Sequence, residues 1–77
     1  MVDHLLEITV DAEGARGAAL AGALSAAGFD LRTRRGRAVA RSASVEASEA
    51  KALLRALGFL DREYRLHVEY TRAWGFL

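Results

Sequence analysis

The stretch Leu31-Arg32-Thr33-Arg34-Arg35-Gly36-Arg37-Ala38-Val39-Ala40-Arg41 (LRTRRGRAVAR) carries five arginines in positions 32 to 41 and no acid. Gly36 divides it. Glycine tolerates the positive φ of a tight turn, so residues 29–35 and 37–46 read as two antiparallel strands joined across Gly36. Two consequences hang on this hairpin, namely the order of elements around it and the face on which its arginines emerge.

Working outward, Leu5-Leu6-Glu7-Ile8-Thr9-Val10 alternates, with Leu6, Ile8 and Val10 on one side and Leu5, Glu7 and Thr9 on the other, the pattern of a half-buried strand. Asp11 is a candidate N-cap, and Gly14 to Ala27 carries an apolar stripe of Ala19, Leu20, Ala23, Leu24 and Ala27 before Gly28 stops the helix. Beyond the hairpin, Ser44 or Ser48 can cap a second helix whose Ala50, Leu53, Leu54 and Leu57 share a face, with Gly58 ending it. Tyr64, Leu66, Val68 and Tyr70 then alternate with Arg65, His67, Glu69 and Thr71 in a last strand. The order is strand, helix, strand, strand, helix, strand. Two crossover helices pack on one face of the sheet, which gives an α+β ferredoxin-like two-layer sandwich with spatial strand order 4-1-3-2. Residues 1–77 contain no proline, linker or repeat and form a single domain by this reading.

The arginines depend on register. With Arg35-Gly36 as a two-residue loop, Arg34 opposes Arg37, Arg32 opposes Val39 and Asp30 opposes Arg41. Arg32, Arg34, Arg37 and Arg41 then gather on the open face. With Gly36 as the bulge residue of a longer turn, Arg37 opposes Thr33 and Val39 opposes Leu31, and the cluster is split. The apolar pattern leans toward the bulged register, because that register buries both Val39 and Val45.

Composition bounds the function classes. Apolar residues make up 52% of the chain and charged residues 27%, a globular balance. A chain of 77 residues without cysteine is near the small end for an unstapled core, so a homo-oligomer, a homodimer or larger, is expected. No apolar run approaches the ~20 residues of a membrane span, and acids stand near the start where a signal peptide carries Lys or Arg, so a soluble cytoplasmic protein without membrane contact is expected. Residues 1–31 have net charge −4, residues 32–41 have +5 and residues 42–77 are neutral, so the overall +1 hides one basic segment. That asymmetry fits an anionic partner, or an internal acidic neighbour.

The plainer account of the arginines is cross-strand pairing with Glu7 and Glu69, which should also emerge on the open face. The functional account is phosphate or nucleic-acid contact through Arg32, Arg34, Arg35, Arg37 and Arg41, since the guanidinium fork binds phosphate bidentately. An aromatic platform for base stacking is missing from that face. His4 and His67 have opposite parity on their strands and should not converge, which argues against a metal site or a histidine-based catalytic pair. Ser25, Ser42, Ser44 and Ser48 have no evident base beside them. Copper chaperones share this element order but need two cysteines, and acylphosphatases need an asparagine; the chain has neither residue type. No enzyme activity, cofactor or metal is expected. Gly14-Ala15-Arg16-Gly17 opens the first helix, where unpaired amide groups and absent side chains suit a bound anion or carboxylate.

Asp11-Ala12-Glu13-Gly14 after LEITV, with Gly28-Phe29-Asp30-Leu31 opening the second strand, resembles the start of an ACT domain, a small amino-acid-sensing regulatory module. The resemblance spans about the first 31 residues by motif; Glu13 stands where that family usually has proline and Ala15 where it has a large aliphatic residue. It implies paired subunits and a small-molecule effector, often an amino acid, reached from the interface by Asp11 and Gly14, with Arg16 and Gly17 beside them. Near the end of the sequence, Trp74, Phe76 and Leu77 are apolar beyond the last core positions, and are expected to pack on a second subunit or close an edge of the sheet. The leading expectation is a small non-catalytic binding or regulatory module. A nucleic-acid-binding domain built on the arginine hairpin and a structural subunit of a larger assembly are the alternatives.

Overall fold

The computed structural model describes the backbone of residues 2–72 and the side-chain surroundings of residues 4–69. Trp74, Phe76 and Leu77, the expected oligomer contacts, lie outside the described residues. The elements are β1 (Val2–Asp11), α1 (Ala15–Ala26), β2 (Asp30–Arg34), β3 (Arg37–Ser42), α2 (Ala47–Ala56), a 3₁₀ turn (Asp61–Glu63) and β4 (Tyr64–Arg72). All strand pairs are antiparallel and the sheet order is β2-β3-β1-β4, the ferredoxin-like arrangement read from the sequence. No helix among the described residues is long and apolar enough to cross a membrane.

Alternation on β1 builds the core. Leu6, Ile8 and Val10 are buried under Leu20 and Leu24 of α1 and Ala50 and Leu54 of α2, with Phe29, Phe59 and Tyr64 closing the cluster. Ala38 and Ala40 on β3 face the same layer and are buried, as is Ser42. These small strand residues oppose large helix residues, so the two layers fit at interior density without large side chains from both sides.

The hairpin adopts the two-residue register, and the bulged register favoured by the apolar pattern is corrected. Arg34 pairs with Arg37, Arg32 with Val39 and Asp30 with Arg41. Arg35 (φ 53°) and Gly36 (φ 76°) both take positive φ, as a turn of type I′ requires at its two central positions. The Ala12 amide donates to the Gly36 carbonyl at 2.8 Å, which ties the turn to the loop between β1 and α1. Val39 is therefore half-buried on the open face, not in the core.

The helix boundaries also differ from the sequence reading. Gly14, not Asp11, caps α1; the Asp11 carboxylate instead accepts from the Glu13 amide at 3.2 Å, within the preceding turn. Glu46 is the N-cap of α2, its amide donating to the Glu49 carboxylate at 3.1 Å, and neither Ser44 nor Ser48 is the cap. The Ser42 hydroxyl accepts from the Ser44 and Val45 amides, turning the chain at the end of β3. On α2 only Ala50 and Leu54 are buried, while Leu53 and Leu57 stay exposed. The Gly58 turn brings Phe59 back into the core at that end.

Candidate anion-binding face

The sheet face away from the helices is assembled by strand parity. One row crosses it as Asp30, Arg41, Glu7 and His67; the next runs Arg32, Val39, Thr9 and Arg65; the third begins Arg34, Arg37 and Asp11. Four of the five hairpin arginines therefore share a face, and Arg35 stands at the turn beside them. Neutralisation is uneven across the rows. Arg41 donates to Glu7 at 2.9 Å, the cross-strand pair expected from the sequence, and Arg32 reaches Asp30 only at 4.0 Å. Glu69 lies 3.5 Å from His67, and among the described residues no arginine stands within ion-pair distance of it.

Toward the hairpin turn arginines outnumber acids, although Asp11 opposes Arg37 in the ladder and the Glu13 side chain lies beside Gly36. Among the described residues Arg34, Arg35, Arg37, Arg62 and Arg65 have no ion-pair partner. Arg34 and Arg37 oppose each other directly in the ladder, an arrangement of like charges that destabilises a sheet. Two hollows open there. The larger, about 490 Å³, is lined by Thr9, Arg34, Arg35, Arg37 and Val39. The smaller, about 220 Å³, lies between Thr9, Asp11 and Arg37 on one side and Arg62, Glu63 and Arg65 on the other. Thr9 and Arg37 belong to both, so the hollows adjoin along the end of the sheet.

Glu63 does not cancel this charge. Its carboxylate accepts from Arg16 Nε at 2.9 Å and Arg16 Nη2 at 2.8 Å, and from the Leu60 amide at 2.6 Å. The Arg16 hydrogen bonds, and then that of the Leu60 amide, hold the Glu63 carboxyl down at about 2, against an ordinary 4.5. Arg16 itself donates to the Gly58 carbonyl and lies 4.9 Å from the centre of the Phe59 ring. It fastens the start of α1 to the turn before β4.

That geometry bears on the ligand set read at the first helix. Asp11 is engaged by the Glu13 amide and Arg16 by Glu63 and Gly58. A Cβ on Gly17 would overlap the Asp11 carbonyl oxygen, so the absent side chain lets α1 approach β1. Gly14 has open space around it and is exposed. His4 and His67 stand on opposite faces, His4 with its Nε2 3.0 Å from the Val45 carbonyl oxygen.

Arg62, Arg65 and Thr9 join the hairpin arginines without having been singled out from the sequence. For Arg65 and Thr9 a signal existed: both have the outward parity of their strands, and β4 and β3 flank β1 in this topology. Arg62 sits in the 3₁₀ turn, where no periodicity reports direction. No protein-family model, curated protein or solved structure matches the chain.

Proposed function

We propose that the protein is a small non-catalytic binding module whose open sheet face takes the phosphate backbone of a nucleic acid. The observation that carries this reading is the unpaired arginine group, above all Arg34 opposite Arg37, which costs stability unless an anion lies across it. Guanidinium forks suit phosphate oxygens, and the adjoining hollows give a strand a path along the sheet end. The described open-face positions have no Phe, Tyr or Trp, so the mode is backbone contact and not base stacking. Sequence-tolerant binding follows.

The test is fluorescence anisotropy with a mixed-sequence single-stranded RNA and a DNA duplex at about 50 mM salt, where phosphate contacts are strongest. Arg34→Ala combined with Arg37→Ala is expected to weaken binding about tenfold or more, whereas Lys51→Ala, on the helix layer, leaves it unchanged. No binding by the unsubstituted protein, or equal weakening by Lys51→Ala, contradicts the reading.

A small-molecule effector at the start of α1 is the second reading, and Gly14 favours it. This N-cap offers no side-chain acceptor to the first-turn amides. An amino acid that raises the melting temperature, with the rise lost in Asp11→Ala, supports that reading; a panel of the twenty amino acids without effect removes it.

A further inference from the structure

We infer that the smaller hollow is a receptor for a phosphomonoester, the terminal phosphate of a nucleic-acid strand lying on the open face. The inference rests on the face taking phosphate at all, and it says where a strand end goes. Arg37, Arg62 and Arg65 border the hollow with no ion-pair partner among the described residues. The Thr9 hydroxyl adds a neutral donor from the centre of the sheet. Two carboxylates also border it. Glu63 is held by Arg16 and the Leu60 amide, so its charge is already matched, and Asp11 accepts from the Glu13 amide while standing opposite Arg37 in the ladder. Setting Asp11 against Arg37 leaves Arg62 and Arg65, two positive charges in excess.

That excess selects among phosphate types. A backbone diester carries one negative charge, whereas a phosphomonoester carries about −1.5 to −2 at neutral pH and three acceptor oxygens. The monoester's charge matches the two positive charges left in excess by Arg62 and Arg65.

Size points the same way. At about 220 Å³, below the ~300–1,000 Å³ of pockets that enclose drug-sized ligands, the hollow has room for a phosphate group. A path for the attached strand runs past Thr9 and Arg37 into the larger hollow, where Arg34 and Arg35 meet its next phosphates.

The experiment compares one labelled mixed-sequence oligonucleotide in three forms, with a 5′-phosphate, with a 3′-phosphate and with neither, at constant low salt. One phosphorylated form is expected to bind about five- to tenfold tighter than the unphosphorylated strand. The gain should vanish in the Arg62→Ala, Arg65→Ala double variant and shrink below the second phosphate pKa of about 6. Millimolar inorganic phosphate should remove the gain without displacing the unphosphorylated strand. Equal binding of all three forms overturns the terminal-phosphate site while leaving the open-face reading intact. Binding by none of them overturns the open-face reading, and inorganic phosphate then decides the hollow by itself: a melting-temperature rise in the parent protein that is absent from the double variant retains the site, and no rise removes it.

Discussion

At Gly17 a single methyl group is enough to push α1 away from β1, because the added carbon would meet the Asp11 carbonyl oxygen. Gly17→Ala should lower unfolding free energy by about 1–3 kcal/mol, the usual cost of overpacking, in urea titrations. Gly22, in the same helix with open space around it, gives the opposite result: Gly22→Ala should raise stability by about 0.5–1 kcal/mol. The main titrating contact at this scale is Arg16–Glu63. The folded Glu63 carboxyl lies near 2 and its ordinary value is 4.5, so its stabilisation is complete above about 4.5 and disappears as pH falls from there through about 2. Asp61, held low mainly by its hydrogen bond from Arg55, adds to the same acid limb. Melting temperatures across that pH range should fall in the parent protein and fall less in Glu63→Gln, which starts lower at neutral pH. A variant with the parent's acid limb would contradict the role assigned to Glu63.

The hairpin is the element on which sequence and structure part. Alternation on β1 and β4 and the glycines at 28, 36 and 58 made the element order and the sheet order legible, because parity and left-handed turns are local properties. Register was not legible. The two-residue turn forces Arg35 to φ 53°, a conformation that non-glycine residues seldom take, and it sends Val39 to the open side. What outweighs both is tertiary: Ala38, Ala40 and Ser42 are small enough to lie beneath the helix layer, a fit visible only once Leu20 and Leu24 are placed above the sheet. The same limit applies to α2, where periodicity grouped Leu53 and Leu57 with Leu54, but Phe59 closes the core. Arg35→Asn, which places the favoured Asn-Gly pair at the turn, should raise stability by about 0.5–1 kcal/mol. Loss of stability in that variant would mean that the turn is not of type I′. Because Arg35 also lines the larger hollow, the variant should bind nucleic acid somewhat less well while folding better, a separation of stability from function expected where a site carries local strain.

Over the whole molecule, charge is sorted by place as much as by sign. Arg41, Arg16 and Arg55 are each matched by Glu7, Glu63 and Asp61 respectively, while Arg34, Arg35, Arg37, Arg62 and Arg65, which have no ion-pair partner among the described residues, collect at one end of the open face. A +1 net charge conceals this, and the clustering becomes visible only when β3 and β4 are brought to either side of β1. The most direct test of the account is the salt dependence of nucleic-acid affinity. Plotting log affinity against log salt between about 50 and 200 mM counts the phosphates engaged, with a slope near −0.7 per contact for single strands and −0.9 for a duplex. The account predicts a steep slope that becomes shallower by about 1 for each of Arg34 and Arg37 replaced by Ala, with Lys51→Ala leaving it unchanged. A slope near zero, or one untouched by both arginine substitutions, would contradict the claim that the open face grips phosphate.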